Sequence, residues 1–109
     1  MKQRKISEEV GKDYLKALET LGPNTLCDEL VKRGLDDSIK NPELDLLEFA
    51  EAFFLLYRRT ENYSYAEIGK VIRRAAHIVY RELLKKDKNK APNHERFLTL
   101  INNVNSNDN

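Results

Sequence analysis

Phe49-Ala50-Glu51-Ala52-Phe53-Phe54-Leu55-Leu56-Tyr57 is the most apolar run of this 109-residue chain, and it sits inside a longer stretch, residues 41–86, that decides the fold. Asn41-Pro42 opens that stretch as a helix start, with Asn at the cap and Pro at the first helical position. A helix predicted over 42–59 is apolar on all sides from Ala52 to Tyr57, so it belongs in the centre of a bundle. Asp45 and Glu48 keep its early turns in water. Thr60-Glu61-Asn62-Tyr63-Ser64 then breaks the pattern. Ser64 with Glu67 forms a capping box, and a helix follows over 65–86. Its seam is Tyr65, Ile68, Ile72, Ala76, Val79 and Leu83, at helical spacing.

Outward from this pair the same period continues. Ser7 caps a helix over 7–21, with Glu8 and Glu9 placed for its dipole. Val10, Tyr14, Leu18 and Leu21 mark its expected buried face, and Gly22-Pro23 ends it. Thr25 with Asp28 resembles a capping box for a short helix over 26–33, which buries Leu26, Leu30 and Cys27 and stops at Gly34. After the loop at 87–92, Asn93 caps a last helix over 94–104 with Phe97, Leu100, Ile101 and Val104 on its apolar face. No strand-like alternation or internal repeat occurs. The expectation is an all-α bundle of four longer helices and one short one, forming a single domain over 7–104. Residues 1–6 read as a loose tail and 105–109 as a disordered one.

Composition narrows the classes of function. The formal net charge of +1 hides an asymmetry. Residues 1–57 carry 8 basic against 12 acidic side chains, whereas residues 58–90 carry 10 against 4. A basic segment on an otherwise acidic protein faces an anionic partner or simply water. The lone Cys27 rules out an internal disulfide framework. The basic N-terminus is not followed by an apolar segment, and the longest apolar run is too short to span a bilayer. The reading is a cytoplasmic protein without a membrane partner.

Chemistry-bearing patterns are sparse. Cys27, His77 and His94 are singly placed, without zinc-site spacing. Asp37 to Glu48 has Asp at the first and Glu at the twelfth position of a calcium loop. Ile39 offers no oxygen at the third, however, and Pro42 stands where the sixth needs Gly, so the letters fit a loop followed by a helix start. There is no phosphate-binding Gly-rich loop, nucleophile elbow or Cys/His/Asp signature. Glu48 and Glu51 read as a solvated stripe. No cofactor is expected, and the chain reads as non-enzymatic.

Ser64-Tyr65-Ala66-Glu67-Ile68-Gly69-Lys70-Val71-Ile72 has a capped start, an apolar residue, a small residue where two helices would touch, and a further apolar residue. Together with His77 and the preceding apolar helix it resembles the helix-turn-helix unit of the bacterial replication initiator's duplex-binding domain. Arg81-Glu82-Leu83 is similar to some insertion-element transposases. The resemblance covers roughly residues 50–86. It implies a turn near Arg73 and a recognition helix after it. Lys70, Arg73, Arg74, Lys85 and Lys86 would then meet phosphates, and His77, Tyr80 and Arg81 base edges of duplex DNA, with a homodimer giving tight binding. Of the initiator's contact residues only His77 carries over, and Arg73 stands where such turns carry Gly. Ala75-Ala76 favours continuous helix across the same place. The alternative is one unbroken amphipathic helix over 65–86 in a protein-interaction module, such as an adaptor, inhibitor or immunity-type protein.

Overall fold

Ser7 begins the first helix as its sequence suggests, its hydroxyl accepting from the Val10 N–H at 3.3 Å. The computed structural model describes residues 5–36, 40–86 and 94–107. Their helices are α1 (Glu8–Gly34), α2 (Pro42–Thr60), α3 (Tyr63–Lys86) and α4 (His94–Asn107). The architecture is an all-α bundle, with no strand among the described residues.

The short helix expected at 26–33 is present as the second arm of α1, but it begins at Pro23, three residues before the start expected from Thr25 and Asp28. Only Gly22 leaves helical geometry, at φ 81° and ψ 163°, and the chain is helical again from Pro23. That backbone region is open essentially to glycine alone. Pro23 needs no donor at the first position of a resumed helix, so one residue suffices to bend α1 and a longer loop is unnecessary. Gly34 also differs from expectation. It stays helical and the cap is Leu35, whose N–H donates to the Val31 carbonyl at 2.9 Å.

Helix α2 starts at Pro42 as expected, but Asn41 caps it differently. Its backbone is left-handed (φ 52°), a conformation Asn tolerates, and its carbonyl accepts from the Leu44 and Asp45 N–H groups while its side chain makes no cap bond. The turn into α3 is two residues long. Glu61 is left-handed at φ 60°, and Asn62 Oδ1 accepts from the Ser64 N–H at 3.1 Å. Asn62 thus performs the capping expected of Ser64, and α3 begins two residues earlier, at Tyr63.

So short a turn folds α3 back along α2. Tyr57 and Tyr63 meet edge to face beside it, with centroids 5.7 Å apart. Further along, the Phe54 ring lies so close to Gly69 that a Cβ there would come within 2.9 Å of it. The expectation of a small residue where two helices touch is met at this position. Towards the other end, Leu46 and Val79 both reach Gly34 of α1. The pair is therefore an antiparallel hairpin, and its interface is the core. Phe53, Phe54, Leu47, Leu56, Ile68, Ile72 and Val79 have no exposed surface, and all six predicted seam residues of α3 are buried.

The arms of α1 lie across this hairpin. Tyr14 packs edge-on against Phe49 and Phe53, at 5.2 and 5.4 Å between centroids. Leu26, Cys27 and Leu30 are buried as expected. The predicted buried face of the first arm is only half realised. Tyr14 and Leu18 are half-buried, but Val10 is 40% and Leu21 43% exposed. At the front, Ile6 is buried and its carbonyl accepts from Arg59 Nη2 at 2.9 Å, so the tail expected to be loose is anchored at its last residue. Helix α4 buries Phe97 and Leu100 and continues past the expected end at 104 to Asn107. The expected disordered tail thus begins in helix. Residues 1–4, 37–39, 87–93 and 108–109 fall outside the described residues, so the Asn93 cap does too.

Candidate docking surface

Helix α3 is continuous from Tyr63 to Lys86. The turn that the helix-turn-helix reading requires near Arg73 is absent, since residues 72–77 are helical throughout. Ala75 and Ala76, both fully buried, have the highest helix propensity and are small enough to let α3 pack closely. Continuity spreads the predicted contact residues around the helix. Lys70, Arg74, Arg81 and Lys85, spaced 4, 7 and 4 residues apart, form one line along the outer face, spanning about 22 Å at 1.5 Å per residue. Arg74, Arg81, Lys85 and Lys86 are exposed, and Lys70 and Arg73 are half-buried.

Several of these cations are oriented by neighbours. Lys70 Nζ donates to the Tyr63 hydroxyl at 2.8 Å and sits 5.3 Å from the centre of that ring. Arg73 lies over the Phe54 ring at 6.0 Å. Arg74 Nη1 donates to Asn24 Oδ1 of α1 at 3.1 Å, and Lys85 approaches Glu82 at 3.6 Å. The electrostatic gain from each exposed contact is small, so their effect is to fix direction.

Tyr80 and His77, the two members of the predicted set that are neither Lys nor Arg, are covered. Tyr80 is buried, stacked on Phe97 of α4 at 4.0 Å and 14°. It is not on an outward face, which corrects its placement among base-edge contacts. His77 is half-buried, edge-on to the same Phe97 at 5.7 Å. Burial, with Arg73 and Arg81 nearby, pushes its imidazole pKa down, which favours the neutral ring.

Other candidate groups do not converge. Among the described residues no cluster of three His, Cys, Asp or Glu side chains could hold a metal. Pro42 to Glu48, positions six to twelve of the calcium-loop pattern, is helical, and Glu43 within it is buried. Cys27 is buried, and burial raises its thiol pKa while Arg74 pulls it the other way. Glu48 and Glu51, expected to be fully wetted, are half-buried. Glu48 pairs with Arg96 of α4 at 3.1 Å, and burial next to Glu48 raises the Glu51 pKa.

A second surface was only half visible in the sequence. The bend at Gly22 leaves a groove of about 260 Å³ between the arms of α1. Tyr14, Ala17, Leu21, Leu26 and Leu30 form its apolar lining, with Asp13, Glu29 and Arg33 at its edges. The available signal was the position of Leu21 on an apolar stripe; the sequence did not indicate that nothing would cover it. No described helix is long and apolar enough to cross a membrane. No protein-family model, curated protein or solved structure matches the chain.

Proposed function

We propose that this protein is a non-enzymatic docking module that receives an acidic partner protein along the outer face of α3. The observation that carries the reading is the unbroken course of α3, which puts Lys70, Arg74, Arg81 and Lys85 in one line. Such a line matches an acidic helix laid alongside it, where electrostatic complementarity sets encounter rate and register. The same cations suit DNA phosphates, but phosphate contacts position a protein without reading sequence. Tyr80 and His77, the side chains wanted for base edges beside Arg81, are packed on Phe97. A recognition helix with those groups withdrawn has little with which to discriminate bases.

The test is fluorescence anisotropy with a labelled Glu-rich helical peptide and, separately, a labelled mixed-sequence duplex, each across a salt series. The peptide should bind at low salt, weaken as salt rises, and lose binding to Arg74→Glu and Arg81→Glu proteins. Duplex binding without peptide binding would assign the surface to nucleic acid. Binding of neither at low salt would overturn both readings.

A further inference from the structure

The apolar side chains that α3 leaves exposed fall on the same face as its cations. Tyr63 is 51% and Leu84 38% exposed, and they are the two large apolar side chains of this helix on the surface. They stand 21 residues apart, and Lys70 and His77 divide that interval into three steps of seven. On a straight helix such positions drift by only about 20° per heptad, so all four share one stripe. Arg74 follows Lys70 by four residues, and Arg81 follows His77 by four. Steps of four and three residues in alternation form the seam of a coiled coil. The cations of α3 therefore lie between two apolar side chains about 32 Å apart, at 1.5 Å per residue.

Both flanks of the stripe are occupied, but its ends are not. Arg74 reaches Asn24 of α1, and His77 lies against Phe97 of α4, so α1 borders the stripe on one side and α4 on the other. At one end the Tyr63 ring is fixed edge to face on Tyr57, and its hydroxyl accepts from Lys70 Nζ at 2.8 Å. At the other end Leu84 projects one turn beyond Tyr80, past the stack with Phe97. Helix α3 carries six Lys and Arg against two carboxylates. Of those two, Glu82 pairs with Lys85 at 3.6 Å, and Glu67 stands one turn on from Tyr63. The face is thus cationic along its length and apolar at its ends.

We propose that the acidic partner is a helix of at least three heptads, carrying two apolar side chains 21 positions apart that seat on Tyr63 and Leu84. This rests on the reading of α3 as a surface for an acidic protein and specifies the form of that protein. The steady drift of the stripe makes the partner wrap α3 with a left-handed supercoil. A spacing of 21 matches whether the partner runs parallel or antiparallel to α3. Carboxylates between the two anchors meet the cations and set encounter rate and register. The apolar contacts at the ends supply the part of the affinity that salt does not screen.

Two labelled Glu-rich helical peptides of identical composition test this by fluorescence anisotropy at low and high salt. In the first, two leucines stand 21 residues apart. In the second, one leucine is moved two positions, onto the far side of the helix. The first should bind about tenfold tighter, the effect of seating one more leucine. Both should weaken as salt rises, with their ratio preserved. Leu84→Ser, at an exposed position and without a change of charge, should reduce binding of the first peptide to nearly that of the second. Circular dichroism checks that this variant remains folded. Tyr63→Phe keeps the ring and should keep the preference, whereas Tyr63→Ala should lose it. Equal binding of the two peptides overturns the proposal, and so does a folded Leu84→Ser protein that still prefers the first. Equal, salt-sensitive binding leaves the acidic-partner reading standing, while binding of neither peptide at low salt removes that reading as well.

Discussion

The Tyr80 and Phe97 rings are stacked with centroids 4.0 Å apart and planes within 14° of parallel. This contact attaches α4 to α3, and it also removes Tyr80 from the outer face. Phe97 is 2% exposed and touches His77 as well. Phe97→Ala should therefore cost about 3–5 kcal/mol in urea unfolding, the range for a buried aromatic truncated to alanine. Hydrogen exchange should speed up first in α4. A loss below about 1 kcal/mol would mean that the stack does not hold α4.

Much of the bundle was readable because its apolar period is regular. The α3 seam from Tyr65 to Leu83 is buried at every predicted position. What failed were choices between nearby residues with equivalent chemistry. Asn62 and Ser64 are both competent caps, and hairpin geometry favoured the earlier one. Periodicity also identifies an apolar stripe without saying whether another element covers it. Leu21 is apolar at the right spacing, yet the bend at Gly22 leaves it beside a groove. Tyr80 failed in the other direction. The helix-turn-helix resemblance implied an outward contact for it, while the residue that buries it, Phe97, is 17 positions away. Of the predicted contact set, the structure puts Lys70, Arg74, Arg81 and Lys85 on one line, because their spacing is a property of any unbroken helix.

Gly69 gives a substitution for which local propensity and packing disagree in sign. In an exposed helix, Gly→Ala stabilises by roughly 1 kcal/mol. Here the added Cβ would come within 2.9 Å of Phe54, a ring with no exposed surface into which it could move. Gly69→Ala should destabilise, by about 1–3 kcal/mol, as overpacked sites do. Adding Phe54→Leu makes room, so the double variant should be more stable than the sum of the single changes by more than about 0.5 kcal/mol. Simple additivity in a urea double-mutant cycle would contradict the close contact.

Gly22 is a different case. A Cβ there would meet nothing within 4 Å, so space is available. The obstacle is the backbone at φ 81° and ψ 163°, which costs a side-chain-bearing residue about 1–3 kcal/mol. Gly22→Ala should lose about that much stability. A variant as stable as the wild type in urea would show that the bend does not need a glycine backbone.

Glu43 gives the pH dependence of stability. It stands in the first turn of α2, is 1% exposed, and its Oε2 has no hydrogen-bond partner. Burial raises its carboxyl pKa above the usual carboxylate range, and a hydrogen bond from its own backbone N–H opposes this only in part. A carboxyl whose native pKa exceeds its unfolded value holds its proton more tightly in the folded state. Its favourable contribution is complete below the unfolded pKa and is lost as pH rises through the native one. Ionised, the native side chain is a buried, incompletely solvated charge. Glu43→Gln keeps the size and removes the charge. Below pH 4 the two proteins should have similar stability in urea unfolding. Through the carboxylate range the variant should draw ahead, and by pH 7 lead by about 1–3 kcal/mol, the cost of a buried group left unsatisfied. Glu51 is also raised but is present in both proteins, so it drops out of the difference. A difference between the two proteins that stays flat from pH 4 to pH 8 would show that Glu43 titrates in the folded state as it does in the unfolded chain.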